Sequence, residues 1–347
     1  MDIETKTHYF RLGTIEDVER VQEFIKKEWN PEHILVKSRK LFNYEYAVGN
    51  RINVALAINK ETKKIDCIFA FYQSSKNLAN CDLWGSLWKV SSECKVPFLG
   101  QLLMKNICKI TGAKSHSGVG LNPKTTVRIM KTMKDQTIGH LRHYYRLANI
   151  EEYRIAVIKD KRILDEVDGE NNLIELATME ELRSKFDLGY SQRKPYKDEW
   201  YFEKRYFKHP IYNYNIWGIE SESKVKAVLV GREIERNGSK ILRIVDFIGE
   251  DNALGEAGRS INNIMINNKY EYIDFYQQGI DHVIMAKAGF VLKTEDDLNI
   301  IPNYFEPFVQ ENIDMWYHTS FEEPYYVFKA DADQDRPNWL RSDCNEQ

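Results

Sequence analysis

An α/β fold in two tandem domains is what this sequence predicts, on three observations. At 347 residues the chain is longer than one core usually organises. Apolar β-rich runs alternate along it with segments of helical period. The run of elements also occurs twice. "KKIDCIFAF" at residues 63–71 is matched by "KVKAVLVGR" at 224–232, and "CDLWGSLWKVSSE" from Cys81 by "KILRIVDFIGEDN" from Lys240. "TTVRIMKTM" from Thr125 is matched by "HVIMAKAGF" from His282, and each pair lies about 160 residues apart. Three matches in one order at a nearly constant spacing point to duplication.

In the first copy the elements follow in order. "DVERVQEFIKKEW" opens as a helix, and "RINVALAIN" and "KIDCIFAFYQ" are apolar strands joined as a hairpin through a polar turn. "CDLWGSLWKV" is a longer third strand. The chain then breaks at Pro97 and restarts as the apolar helix "FLGQLLMKNICKI". The short strand "HSGVGLN" and the helix "TTVRIMKTM" complete the copy. The polar segment at residues 158–172, with its Asp-Gly turn signal, is the expected joint, which predicts domains at 1–170 and 171–347.

Composition narrows the function classes. The chain is 43% hydrophobic, 12% aromatic and 29% charged, with a formal net charge of −3 and both signs interspersed. That balance gives no footprint for nucleic acid or an anionic membrane surface. The start "MDIETKTHYF" lacks a basic-then-apolar leader, no apolar run is long enough to span a bilayer, and a cytoplasmic location is expected. Cys67, Cys81, Cys94, Cys108 and Cys344 are scattered without a C-x-x-C pair, which reads as reduced thiols rather than a disulfide frame or a zinc site.

The stretch "VSSECKVPFLGQLL" places a strand end, Lys95, Pro97, Gly100 and a helix start close together. Such a turn aims free backbone N–H groups at an anion, although an ordinary strand-to-helix connection reads the same way. The stretch resembles the pyrophosphate turn [R/Q]-x-x-G-x-[G/A] of the GCN5-related N-acetyltransferase superfamily. Lys95 stands at the basic or amide position, Phe98 where the first glycine is usual, and Gly100 at the last. "MAKAGF", ending at Gly289 and Phe290, resembles the closing Y-e-k-l-G-F of that superfamily. The resemblance implies two tandem domains of this type, each a mixed central sheet flanked by helices, with acetyl-CoA as donor and no metal. It implies a cofactor site at Trp88, Lys89, Val90, Lys95, Val96, Phe98, Leu99, Gly100, Gln101 and Asn122. Backbone N–H groups around Trp88 to Val90 would hold the thioester carbonyl. Two departures stand out. Phe98 brings a Cβ to a position of close backbone approach, and the superfamily's proton-donating Tyr is replaced by Met130 and Met285. The matching turn of the second copy, "GEDNALGEAGRS", carries Glu250, Asp251 and Glu256, so coenzyme A is expected in the first copy alone.

The second half and the tail "YVFKADADQDRPNWL" are similar to tandem enzymes that acetylate an amine on a nucleotide-linked deoxyamino sugar, the dTDP-3-amino-3,6-dideoxyhexose N-acetyltransferases of bacterial surface-polysaccharide pathways. Two residues are candidates to take the amine's proton: His116 on the short strand, and Asp82 at the start of the third strand. The aromatic set at residues 200–217, with Tyr272, Phe275 and Tyr276, reads either as core or as a platform for a base ring. In the second reading Arg205, Arg232 and Arg336 meet the diphosphate and Tyr276 the acceptor. "DADQD" at 331–335 spaces its carboxylates like the start of a calcium loop, but the glycine and distal glutamate are missing, and a turn or substrate-side loop is the better reading. Two further functions fit the same pattern: a FemABX-like acyl or aminoacyl transferase, and a non-catalytic module that senses coenzyme A or a nucleotide sugar.

Overall fold

The computed structural model describes residues 1–164, 167–190 and 193–339. The chain forms two compact units. Unit 1 holds Met1–Ile138, Tyr317–Phe321 and the described residues from Asp331 on, and unit 2 holds Gly139–Trp316 and Glu322–Ala330. The expected joint near residue 170 therefore lies inside unit 2. Sequence composition marked a surface turn there, whereas the division follows strand pairing.

Unit 1 is a mixed sheet with helices on both faces. Its elements are β1 (His8–Thr14), α1 (Val18–Glu28), α2 (Arg39–Tyr46), β2 (Arg51–Asn59), β3 (Ile65–Gln73) and β4 (Asp82–Val90). After β4 come α3 (Leu99–Lys105), α4 (Ile107–Thr111), β5 (Ser115–Val119) and α5 (Thr126–Met130). The single helix read over "FLGQLLMKNICKI" is thus two, parted at Asn106, whose side chain donates to the Leu102 carbonyl. Strands β1 to β4 are antiparallel neighbours in order, and β5 runs parallel to β4. Apolar residues that alternate along β1, β2 and β3, among them Phe10, Ala55, Ala57, Phe69 and Phe71, pack against Leu99, Leu103, Met104 and Ile107 of the helices.

Unit 2 repeats the plan. It contains β6 (Arg142–Leu147), β7 (Asn172–Glu175), α6 (Met179–Lys185), β8 (Asn215–Ser221), β9 (Lys224–Arg236) and β10 (Ser239–Gly249). There follow α7 (Asp251–Gly255), α8 (Gly258–Asn267), β11 (Tyr270–Gln278), α9 (His282–Lys287) and β12 (Val291–Leu292). The strand order is β7-β8-β9-β10-β11-β6-β12, with β10 and β11 parallel. A late strand, β13 (Trp316–Thr319), brings Tyr317 to Thr319 antiparallel onto β5 in unit 1, while β14 (Val327–Phe328) pairs with β11 in unit 2. The residues at 200–217 that read as core or platform are largely core: Tyr201, Phe202 and Tyr206 are buried with Val228, Val230 and Val245.

Candidate active site

In unit 1 the parallel pair β4 and β5 is joined only at its base. Asp82 faces Ser115, Leu83 faces His116, Trp84 faces Ser117 and Gly85 faces Gly118, after which β4 continues to Val90 with no described strand on that edge. Just past the parting, β4 carries an extra residue: Gly85 pairs with Phe71 and Trp88 with Phe69, so two residues of β4 lie opposite one of β3. Such a bulge re-aims the backbone and frees ladder groups. Because successive residues on a strand direct their N–H groups to opposite edges, part of the Trp88–Lys89–Val90 backbone faces the open side. The site therefore starts as an unzipped pair of strands with free donors along one lip.

The first donors of the turn beyond β4 are satisfied within the protein. Ser91 donates its N–H to the Asp66 carbonyl, Cys94 donates to Ser91, and the Ser91 and Ser92 donors meet the Glu28 carboxylate. Phe98 precedes α3 in the left-handed conformation at φ 58° and is 74% exposed, with no side chain capping the helix. The position has the backbone that a glycine supplies at no cost, and a Cβ there costs about 1–2 kcal/mol. Gly100 is required by packing: a Cβ would come within 2.9 Å of Val90 Cγ2 and 3.0 Å of Trp88 Nε1. Lys95 is exposed, Val96 and Gln101 are half-buried, and Leu99 is buried in the core. Asn122 is exposed, and its side chain is bonded to the Lys124 N–H.

Neither predicted proton acceptor sits at the open end. Asp82 begins β4 and accepts the Ser115 hydroxyl at 2.6 Å. Along the strand it lies roughly 20 Å from Trp88 at about 3.3 Å per residue. His116 pairs opposite Leu83 at the closed base, against the His318 ring at 5.5 Å, with Nε2 buried and without a partner. Burial holds its pKa down to about 4 and that of His318 to about 3. Arg336, expected to be free for a phosphate, is instead buried in unit 1 beside Asp333. Burial works against its charge, yet Asp333, Tyr72, Tyr46 and Glu45 hold its pKa above the ordinary value.

Those neighbours are what the sequence did not reveal. Tyr46 on α2 bonds the Ser86 hydroxyl at 2.8 Å, at the bulge where β4 leaves β5, and burial pushes the phenol up to about 12. Tyr72 lies against Tyr46 with ring centroids 5.7 Å apart. Tyr46, Tyr72 and Arg336 thus form a buried polar cluster that reaches the half-buried Ser86. No motif carries them, since they come from four separate segments: a helix, two strands and the residues after Asp335.

In unit 2 the same positions are closed. The parallel pair stops at Ile244 opposite Phe275, and β10 has its own extra residue at Val245. Beyond the parting, β14 pairs with Gln277 and Gln278, and Phe328 stacks on Phe275 at 5.8 Å. The turn is covered as well: Asn171 bonds the Ala253 and Glu256 carbonyls. Asp251 is taken by Arg193 and the Tyr326 hydroxyl. A separate cavity of about 460 Å³ opens in this unit, lined by Arg142, His143, Tyr276, Lys293, Asp314 and neighbours. At its wall His143 stacks on Tyr276 at 3.8 Å and bonds Asp274, which is paired with the buried Arg243. Tyr276 thus faces a real cavity. Arg205 is buried in its π-helical turn, and Arg232 lies over the Tyr212 ring at 4.0 Å. Of the predicted substrate residues, Arg336 belongs to unit 1, and Arg205, Arg232 and Tyr276 belong to unit 2.

No family model and no curated protein matches the chain. Solved structures do. A GCN5-related N-acetyltransferase from Anabaena variabilis ATCC 29413 aligns over 89% of this chain and 71% of its own at a TM-score of 0.52, with 9% identity. A protein from Enterococcus faecalis V583, described as a probable N-acyltransferase, aligns over 90% and 72% at 0.51, also with 9% identity. The chain has the mixed α/β fold of these proteins, with two large sheets flanked by helices.

Proposed function

We propose that the protein is an N-acyltransferase that takes its acyl group from a coenzyme A thioester held in unit 1. The observation that carries the proposal is the open pair β4 and β5, with the bulge at Gly85–Trp88 and the uncapped turn at Phe98. The fold shared with N-acyltransferases supports it. Pantetheine is an extended chain with amides, and the free lip of β4 offers it strand-like partners. A β4 N–H near Trp88 would stabilise the oxyanion formed when an amine adds to the thioester carbonyl. The amine attacks as the free base, its proton leaves through solvent or a side chain, and the carbon–sulfur bond breaks to release coenzyme A thiolate. At pH 7 His116 is neutral, but its low pKa makes it a weak acceptor. The Tyr46 phenol, held protonated, is placed to donate toward a thiolate through Ser86.

For the acceptor we carry forward the amine of a nucleotide-linked deoxyamino sugar, with acetyl as the acyl group. The resemblance of the tail and the cavity beside Tyr276, with Arg142 and Lys293 on its wall, support that class. Arg232, half-buried over the Tyr212 ring, stays the candidate to meet the diphosphate, whereas Arg205 and Arg336 are buried. The test is a thiol-release assay with acetyl-CoA and longer acyl-CoA donors against dTDP- and UDP-linked aminosugars, amino acids and peptide amines. Turnover with a nucleotide aminosugar alone supports both levels of the reading. Turnover with another amine retires the sugar and keeps the acyltransferase, and coenzyme A binding without turnover on any amine leaves a sensing module.

A further inference from the structure

His8, Asp66 and Cys94 come from three separated segments of unit 1, yet a ligand atom of each lies within 4.8 Å of the other two. We propose that they form a binding site for a zinc-class divalent cation. Imidazole, carboxylate and thiolate together are the donor set that Zn²⁺ favours, and tetrahedral bonds of about 2.0–2.3 Å put ligand atoms roughly 3–4 Å apart. The His8 Nε2 to Asp66 Oδ2 distance is already 3.0 Å. With the ring proton on Nδ1, donated to Thr7 Oγ1, Nε2 is left as a neutral donor that faces the carboxylate and can take the cation.

The backbone fixes all three groups. His8 opens β1 and is fully buried, and Asp66 sits on β3. Cys94 closes a turn whose first residue, Ser91, donates its N–H to the Asp66 carbonyl at 2.8 Å, so the thiol is carried to the carboxylate by main-chain bonds alone. Outer partners are in place too. Thr7 Oγ1 lies 2.9 Å from His8 Nδ1, which directs Nε2 inward as a metal ligand requires, and Asn59 Nδ2 donates to Asp66 Oδ2 at 2.9 Å. Asp66 also borders a surface groove of about 760 Å³, which it lines with Ser91 and Glu93 among others. On binding, the Cys94 thiol gives its proton to solvent and the thiolate bonds the cation. The turn so tied down is the one that joins β4 to α3. Scattered cysteines argued against zinc because the ligands share no sequence spacing; the sheet register supplies the proximity instead.

The experiment uses the full-length chain freed of metal with chelator and titrated with Co²⁺. One equivalent should bind and give a thiolate-to-cobalt charge-transfer band in the near ultraviolet, which Zn²⁺ then displaces. Cys94→Ser should abolish the band, His8→Gln should weaken binding at least tenfold, and Asn59→Ala about tenfold through the lost outer bond. Zn²⁺ should raise the Tm of the wild type but not of Cys94→Ser, whose far-ultraviolet dichroism reports folding independently. Absence of a charge-transfer band in the wild type would overturn the site. So would a band that survives Cys94→Ser, which would assign the thiolate to another cysteine.

Discussion

The two units share one scaffold and differ where their parallel strands part. In unit 1 the last pair before the opening is Gly85 and Gly118, and in unit 2 it is Ile244 and Phe275. One residue earlier, Trp84 and Ser117 in unit 1 stand where unit 2 has the ion pair of Arg243 and Asp274. Both central strands keep a bulge at the matching place. The contrast teaches that the scaffold tolerates either filling. In unit 1 the two glycines admit the Phe69 and His318 rings at the closed base, and the opening lies beyond them along β4. An Ile, a Phe, the β14 strand and a buried ion pair turn the matching place in unit 2 into core.

The largest effect expected from this contrast is on stability. Asp274→Ala strands Arg243 in the interior of unit 2, which costs about 3–5 kcal/mol. The matching change in unit 1, Ser117→Ala, loses the bond to the Thr319 hydroxyl at 2.7 Å and costs about 1 kcal/mol. Urea denaturation of the two variants reads the difference directly, and equal losses would remove the distinction between a filled and an open pair.

Coenzyme A affinity is the next most sensitive quantity. Lys95→Glu puts a carboxylate into the unit 1 turn, as unit 2 has in its own. It should weaken coenzyme A by about 10–100-fold, the scale of a lost charge-assisted bond of roughly 1.5–3 kcal/mol. Calorimetric titration checks it, and unchanged affinity would move the pyrophosphate away from that turn.

Acid should separate the units as well. In unit 1 burial lowers the pKa of His33 and His116 to about 4 and of His318 to about 3. A histidine with a depressed folded pKa contributes stability above its unfolded value of about 6.5, and that stability is lost as the pH falls toward 4. In unit 2 Arg243 and His143 hold Asp274 down to about 2 although burial opposes its charge, so its contribution lasts until the pH falls below about 4. His143, lowered chiefly by burial, acts in unit 2 in the same sense as the three histidines of unit 1. Hydrogen exchange at pH 7.5 and 5 should show unit 1 losing more protection than unit 2, and the reverse order would contradict these assignments.

The smallest effect is at Phe98. Phe98→Gly relieves left-handed strain of about 1–2 kcal/mol but adds about 0.5–1 kcal/mol of chain entropy cost. A Tm rise of a few degrees at most is expected, with coenzyme A affinity raised severalfold by closer backbone approach. A fall in Tm would mean that the exposed ring makes a contact worth more than the strain.

The individual strands and helices were legible in the sequence, because strand and helix periods are local. "CDLWGSLWKV" became β4 and "KILRIVDFIG" became β10 almost residue for residue. What failed was non-local. The domain joint near 170 missed β13 crossing back onto β5, since no local signal says which sheet a late strand joins. Residue type and strand membership point to His116 and Asp82, but which end of a parallel pair opens is not written locally, and both residues lie on the paired side of Gly85 and Gly118. The acidic run "DADQD" reads as an open turn that leaves Arg336 for a phosphate, whereas Asp333, Tyr72 and Tyr46 enclose the guanidinium. Cys344, counted among the five thiols, lies outside the described residues.

The most direct test of the difference between the units is the count and location of coenzyme A sites on the full-length chain. Titration should give one site per chain, weakened by Lys95→Glu and untouched by Asp251→Asn, with protection from hydrogen exchange confined to residues 86–101. Two sites of similar affinity, or one that responds to Asp251→Asn and not to Lys95→Glu, would contradict the assignment of the open pair in unit 1 as the donor site.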